Sequence, residues 1–480
     1  MPAKTVIASV LRTALWALTC AVASASAQVP TVAPQAFPPP SAAPTSVVPG
    51  DAIAPSPTPA PGEPSFSNDA RAMDVLAQQI VERAHIPGMA MAIVQGDKVL
   101  LMKGYGVTQM YGREPVTVHT AFRLASLSKA FAGTLAALLV QNGSLAWDMR
   151  VVDHLPAFLL PNTEYTRDLT VRDILSQRAG LTRNTYDRDL EADVPFESLV
   201  DKLAQAPMAC APGTCYGYQN VSFSLIADVV FAVTGDFYTH LVEKNIFHPL
   251  GMYDSSYGRD GLESSPSWAR PHVRGAGGWV PVRPREAYYR VPPAAGVNTS
   301  IHDMTQWLLA QMGHRPDVLS PALLTDIHTP LAETVDQLHG APWRRDRLTD
   351  ARYATGWRIF TYAGHTMIFH GGAVQGYRTM IGFLPDKDIG TVVLWNSESA
   401  VPSGLMPMIM DRALGLPPVD WVGIDEVGNA AAAAPAATRH HGRVRASGGY
   451  KPGARAGGYT AAAHRSAVKP AAKKKKKGKR

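Results

Sequence analysis

The run Ala121-Phe122-Arg123-Leu124-Ala125-Ser126-Leu127-Ser128-Lys129-Ala130-Phe131 constrains this chain more than any other stretch. Phe122 and Leu124 lead into Ser126, and good helix formers then continue to Asn142-Gly143, a helix-ending pair. A helix beginning at Ser126 carries Lys129 one turn on, on the same face. An amine then stands within reach of a hydroxyl, at a helix N-terminus whose free N–H groups favour developing negative charge. A serine hydroxyl is a poor nucleophile until a base takes its proton, and a partly desolvated lysine is such a base. The spacing alone is cheap, because Ser466-Ala467-Val468-Lys469 repeats it in the C-terminal tail. On that spacing alone, Ser126 also reads as a helix cap and Lys129 as a solvated charge.

The 480 residues divide by composition. Residues 1–27 carry Lys4 and Arg12, a short apolar core and Ala25-Ser26-Ala27, the pattern of a secretory signal peptide. The apolar run is too short to span a bilayer comfortably, and no later segment reads as transmembrane. The chain is therefore expected to be exported, periplasmic or secreted. Residues 28–65 hold 12 of the 39 prolines and read as an extended linker. The formal net charge of +7 conceals a split: Ala432 to Arg480 has 14 Lys or Arg and no Asp or Glu, whereas Gln28 to Ala431 carries −9. Residues 421–480 are expected to form a disordered basic tail. An exported tail of this kind is expected either to meet the phosphates or carboxylates of an envelope polyanion rather than nucleic acid, or to stay solvated with no specific partner. The body is then 66–420.

Within the body, Asn68 to Ala84 has the period of an amphipathic helix, with Met73, Leu76 and Ile80 on one face. Met89 to Val94, Gly96-Asp97 and Lys98 to Tyr105 form a hairpin pattern. Leu169 to Leu175, Phe223 to Val233 and Tyr238 to Asn245 read as helices. Thr366 to Phe369, Tyr377 to Phe383 and Gly390 to Trp395 read as strands. Strands at both ends with helices between predict a sheet built from the termini of the domain and a helical insertion. Cys210 and Cys215, a C-x4-C pair at a turn in an oxidising compartment, are a disulfide candidate; metal binding there lacks further ligands at suitable spacing.

Two groups can serve Ser126 and Lys129. Tyr218 and Asn220 follow the cysteine loop; a tyrosine oxygen can relay a proton and an asparagine amide can hold a substrate amide. His370-Gly371-Gly372-Ala373 ends a late strand, and paired glycines let a backbone N–H approach a ligand as an oxyanion donor. Each motif also has a plain structural reading as a core aromatic, a cap or a turn.

The order Ser-x-x-Lys, Tyr-x-Asn, His-x-Gly resembles the serine β-lactamase and penicillin-binding-protein superfamily, in its class C-related branch. That branch includes D-Ala-D-Ala carboxypeptidases, D-aminopeptidases and lactamase-like esterases. The likeness extends through Tyr218 to Ile226, Val233-Thr234-Gly235, Pro249 to Met252 and Pro293 to Met304, and covers 66–418. It implies an α/β (α+β) fold of the β-lactamase/transpeptidase type, with an antiparallel sheet flanked by helices beside an all-helical lobe. It also implies Ser126 as nucleophile, Lys129 and Tyr218 sharing general-base work, and Asn220 orienting the substrate. The N–H groups of Ser126 and Ala373 would form the oxyanion hole, with His370 and Gly372 lining the substrate site. Class C β-lactamases carry Lys-Thr-Gly where this chain has His370-Gly371-Gly372. A largely neutral histidine there removes a charge that would attract a carboxylate, which favours neutral esters unless another cation such as Arg378 replaces it. The expected function is an exported serine hydrolase, with no cofactor, working through an acyl-enzyme on a β-lactam, a D-amino-acid peptide or an ester. The alternatives are a non-catalytic penicillin-binding sensor and an envelope- or polyanion-binding protein acting through its tail.

Overall fold

The computed structural model describes residues 66–424. The expected signal peptide, linker and most of the basic tail lie outside the described residues. Eight strands make one antiparallel sheet: β1 (Gly88–Gln95), β2 (Lys98–Gly106), β3 (Ala332–Glu333), β4 (Leu348–Tyr353), β5 (Arg358–Tyr362), β6 (His365–Val374), β7 (Tyr377–Leu384) and β8 (Ile389–Trp395). Their order is β2-β1-β8-β7-β6-β5-β4-β3. The first hairpin thus pairs with the last strand among the described residues, Met89 opposite Trp395 and Gln95 opposite Ile389. The helices between β2 and β3 form the insertion.

The sheet has a core on each face, so β1 is buried along nearly its whole length and has no polar face. Met89, Met91 and Ile93 pack with α1 (Ser67–Arg83), through its Met73, Ala77 and Ile80. Alternate residues Ala90, Ala92 and Val94 join the larger core with α2 (Ser128–Gln141) and α3 (Ile301–Gln311). C-terminal helix α4 (Leu405–Ala413) covers the same face as α1. Among the described residues no single helix is long and apolar enough to cross a membrane.

Helix α2 is enclosed on nearly all sides: Phe131 stacks on Trp307 at 4.0 Å and meets Phe247 edge-on at 5.6 Å. The loop between β4 and β5 presses against it from the sheet side. A Cβ on Gly356, whose φ is +79°, would stand 2.3 Å from the Lys129 carbonyl oxygen, so only glycine permits this approach. The loop thereby fixes the first turn of α2 against the sheet.

The structure differs from the sequence reading where α2 begins. Residues Ala125–Leu127 form a 3₁₀ turn and the α-helix starts at Ser128. Ala125 has φ +53°, a left-handed conformation that costs a non-glycine residue about 1–3 kcal/mol. The kink turns the chain sharply just before Ser126, so that Ser126 sits at an elbow instead of inside a regular helix.

Candidate active site

A cleft of about 580 Å³ opens between the end of the sheet and the helical insertion, and Ser126, Tyr218, Arg358, Gly371, Gly372 and Ala373 line it. Another cavity of about 650 Å³ lies on the helices around Phe231 and Phe237; His154, Asp228 and Thr239 line it, and none of Ser126, Lys129 and Tyr218 does. The chemistry belongs to the first.

Three segments converge there. The 125–127 elbow brings Ser126. Strand β6 passes over it so closely that a Cβ on Gly372 would lie 2.0 Å from the Leu124 carbonyl oxygen and 2.4 Å from Thr379 Oγ1. The Thr379 hydroxyl donates to that same carbonyl at 2.9 Å, tying β7 to the elbow. This crossing sets Ala373 at the cleft beside Ser126.

The third segment is the strap 216–220, held by residues 177–184. Gln177 accepts from the Gln219 N–H at 2.6 Å and donates to the Gln219 carbonyl at 3.2 Å, while the Gln219 amide donates to the Thr182 carbonyl at 2.6 Å. Cys210 and Cys215 are joined by a disulfide just upstream, with Cα atoms 6.2 Å apart.

Lys129 is fully buried. Its Nζ donates to Asn220 Oδ1 at 2.6 Å and to the Ala294 carbonyl at 3.0 Å, and lies 4.7 Å from the centroid of the Tyr218 ring. Asn220 in turn donates from Nδ2 to Asp187 Oδ2 at 2.8 Å. Burial pushes the Lys129 ammonium well below its usual range; Asp187 pulls it back up, and Arg358 pushes it further down. Burial pushes the Tyr218 phenol up, against the opposing effects of Arg358 and of a hydrogen bond with Ser126. A hydroxyl bonded to a phenol, beside an amine inclined to be neutral, is a path for a proton.

His370 stands apart. Its ring is buried and does not line the cleft; Nε2 lies 3.3 Å from the Tyr353 hydroxyl and Nδ1 2.9 Å from the Gly371 carbonyl. Burial, then the charges of Arg358 and Lys129, hold it well below the ordinary histidine range. It is neutral, and it sits behind the tyrosines.

Arg358 is a buried cation at the cleft that the sequence reading missed. The residue is 8% exposed; its guanidinium lies 5.5 Å from the Tyr218 ring and 5.3 Å from the Tyr353 ring, and donates to the Tyr216 hydroxyl at 3.3 Å. Burial disfavours its charge, but Tyr216, Tyr353 and Tyr218 favour it more, and its affinity for the proton ends above the usual value. No carboxylate pairs with it among the described residues. Arg183, Arg344 and Arg378 also line the cleft, against Glu398.

Comparison with known proteins agrees with this architecture. A family model described as Beta-lactamase matches residues 73–408. The unguisins hydrolase ungD' of Aspergillus campestris is 29% identical over 72% of this chain; the match spans 66% of that protein, so this chain covers just under two thirds of its length. The solved octameric penicillin-binding protein homologue from Pyrococcus abyssi superposes with a TM-score of 0.64 at 23% identity, over 72% of this chain and 78% of that one. A class C beta-lactamase superposes at 0.56 with 22% identity, over 73% and 98%. The antiparallel sheet flanked by helices is the β-lactamase/transpeptidase fold expected from the motifs.

Proposed function

The chain belongs to the Beta-lactamase family, and we propose that within it this protein is an exported serine hydrolase that forms an acyl-enzyme at Ser126 on substrates bearing a carboxylate. The observation that carries the reading is the Ser126–Tyr218–Lys129 grouping at a cleft whose buried cation, Arg358, has no acidic partner among the described residues.

Ser126 Oγ attacks the scissile carbonyl and its proton leaves through the Tyr218 hydroxyl. Lys129 is the base. As a neutral amine it spends its two N–H donors on Asn220 and Ala294, which leaves one lone pair to accept. Tyr218 cannot hold a standing negative charge at neutral pH while burial raises it, so it relays. The N–H groups of Ser126 and Ala373 receive the oxyanion, a form of stabilisation worth roughly 3–4 kcal/mol per donor in hydrolases of this type. The proton returns to the leaving nitrogen. Water then releases the acyl group from Ser126.

Arg358 supplies the charge that the lysine-to-histidine change at 370 removes. A buried guanidinium without a carboxylate is costly in the free enzyme, and a substrate carboxylate in the cleft would complete it. This favours a β-lactam or a peptide ending in a D-residue over a neutral ester.

The test is a substrate panel of a chromogenic cephalosporin, a D-Ala-D-Ala peptide and a short p-nitrophenyl ester, with Ser126→Ala as control. Arg358→Gln is expected to lower kcat/KM for the carboxylate substrates about 10- to 100-fold more than for the ester, whose change reports the effect of Arg358 on Tyr218 and Lys129 alone. Equal losses on all three would overturn the assignment of Arg358. A single-equivalent burst with no steady state would make the protein a penicillin-binding sensor instead.

A further inference from the structure

A second cluster of chemically capable side chains lies away from Ser126. Strands Phe122–Arg123, Val297–Thr299 and Ser256–Tyr257 form a small antiparallel sheet in which Phe122 pairs with Thr299 and Ser256 with Asn298. Continuing the same registers beyond the strand ends would set His119 opposite His302 and Asp254 opposite Ser300. The side chains meet accordingly. The His119 and His302 rings lie 5.0 Å apart, His119 Nδ1 is 2.8 Å from Asp254 Oδ2, and the Ser300 hydroxyl donates to Asp254 Oδ2 at 2.8 Å. One ligand-capable atom from each of His119, Asp254 and His302 lies within 4.8 Å of the others.

We propose that His119, Asp254 and His302 form a binding site for a divalent transition metal of the zinc type, with the remaining position taken by water. Two imidazoles and one carboxylate are a ligand set suited to zinc, whose donors stand about 2.0–2.2 Å from the metal. The widest pair, now within 4.8 Å, must close by up to about 1.4 Å to reach tetrahedral donor separations near 3.4 Å. His119, with a side chain 60% exposed and Asp254 as its ring partner, has room to swing inward.

The surroundings are those of a supported metal ligand. Asp303 is fully buried; its Oδ1 lies 3.0 Å from His302 Nδ1, and its Oδ2 accepts from the Asp254 N–H at 2.7 Å and from the Ser255 hydroxyl at 2.8 Å. A His302 that donates its Nδ1 proton to Asp303 presents the Nε2 lone pair outward, in the carboxylate–histidine–metal arrangement. Asp303 thus orients one ligand ring and holds the backbone of another ligand residue. The metal would join three segments distant in sequence, one of which leads through Phe122–Arg123 into the Ser126 elbow.

The experiment uses the full chain without an affinity tag, stripped with EDTA and titrated with zinc in competition with a chromogenic chelator. One equivalent is expected to bind, and zinc is expected to raise Tm by a few degrees. His119→Ala should weaken that equivalent at least about tenfold, and His119→Ala/His302→Ala should abolish it along with the rise in Tm. Asp303→Asn, which changes no ligand, should weaken it about 10- to 100-fold. Each variant is compared with wild type in EDTA by near-ultraviolet circular dichroism, so that a folding defect is recognised. His119→Ala is an exposed change and should leave hydrolysis at Ser126 unaltered in EDTA. Retention of the same equivalent by the double variant would assign zinc to other residues, such as His440 and His441 in the tail, and overturn the proposal. Absence of binding by wild type at about 100 µM zinc would overturn it equally.

Discussion

Lys129 Nζ and Asn220 Oδ1 stand 2.6 Å apart in a fully buried setting, and Asn220 passes the other end of its amide to Asp187. The arrangement couples a carboxylate to the amine through a neutral side chain, so that Asp187 moderates the amine's loss of charge without an ion pair. Asp187→Asn removes the negative charge that favours the ammonium form. The acid limb of the kcat/KM profile, set by deprotonation of Lys129, is therefore expected to move to lower pH in the variant. A limb that stays in place would mean that the profile reports another group.

Ser126→Ala is expected to lower turnover by at least about a thousandfold, because the covalent route disappears. Ser466→Ala, in the repeat of the same spacing, is expected to change nothing. Intact-protein mass spectrometry after mixing with a slowly released β-lactam checks both, and an adduct on Ser126→Ala would remove Ser126 from the nucleophile's place.

The elements legible in the sequence are those whose burial is nearly complete or whose ends are marked by glycine. The β1–β2 hairpin, α1, β6, β7 and β8 fall within a few residues of their expected positions. Strands β4 and β5 were not legible, because Asp350, Arg352 and Arg358 interrupt their apolar pattern. The same interruption hid Arg358 as a member of the cleft; the available signal was one arginine between Trp357 and Ile359 in an otherwise apolar run. Asp187 was hidden differently. It lies among Arg183, Arg188, Asp189 and Glu191, a stretch that reads as solvated surface, and only folding brings it behind Asn220. The 3₁₀ elbow at Ser126 depends on the left-handed Ala125, and no glycine or asparagine there announces it.

His370→Lys tests the difference from the Lys-Thr-Gly pattern. Because the ring is buried behind the cleft and Arg358 already opposes a charge on it, an ammonium there would add another buried cation beside that guanidinium. The variant is expected to lose at least about 3 kcal/mol of stability and to gain nothing on penicillins relative to esters. A well-folded His370→Lys enzyme whose penicillin-to-ester ratio rises would show that the side chain can reach the substrate after all.

The disulfide closes a short loop, and a loop of this size constrains the unfolded chain by only about 2 kcal/mol. Its folded neighbours matter more to the site. The Gly213 N–H donates to the Arg178 carbonyl at 2.8 Å and the Gly217 N–H to the Gln177 carbonyl at 2.9 Å, which sets the strap that carries Tyr218. Cys210→Ser/Cys215→Ser is expected to reduce kcat more than it reduces stability, as read by turnover beside urea denaturation. A large stability loss with full kcat in the remaining folded fraction would make the bond a staple and nothing else.

Histidines whose proton affinity is lowered by desolvation, His272, His328 and His370, give the fold a defined response to acid. Burial holds His370 well below its ordinary value, and burial lowers His328, packed edge-on against Trp357 and Phe383, to about 3. In the unfolded chain these rings take up protons near pH 6.5, so below that pH the unfolded state binds more protons than the folded state. Their contribution to stability is therefore complete above about pH 6.5 and declines as the pH falls, by up to about 1.4 kcal/mol per pH unit for each ring. Asp228 works in the opposite sense: burial raises its carboxyl to about 6, so it takes up a proton in the folded state first and offsets part of the loss. The contribution of one ring is thus isolated by difference. His328→Gln keeps an amide donor for Gln311 Oε1, which lies 3.0 Å from His328 Nε2, but cannot titrate. Between pH 7 and pH 5 the wild type is expected to lose about 2 kcal/mol more than His328→Gln in urea denaturation. Equal losses in the two proteins would mean that His328 is protonated in the folded state at pH 5, and that its pocket admits the charge.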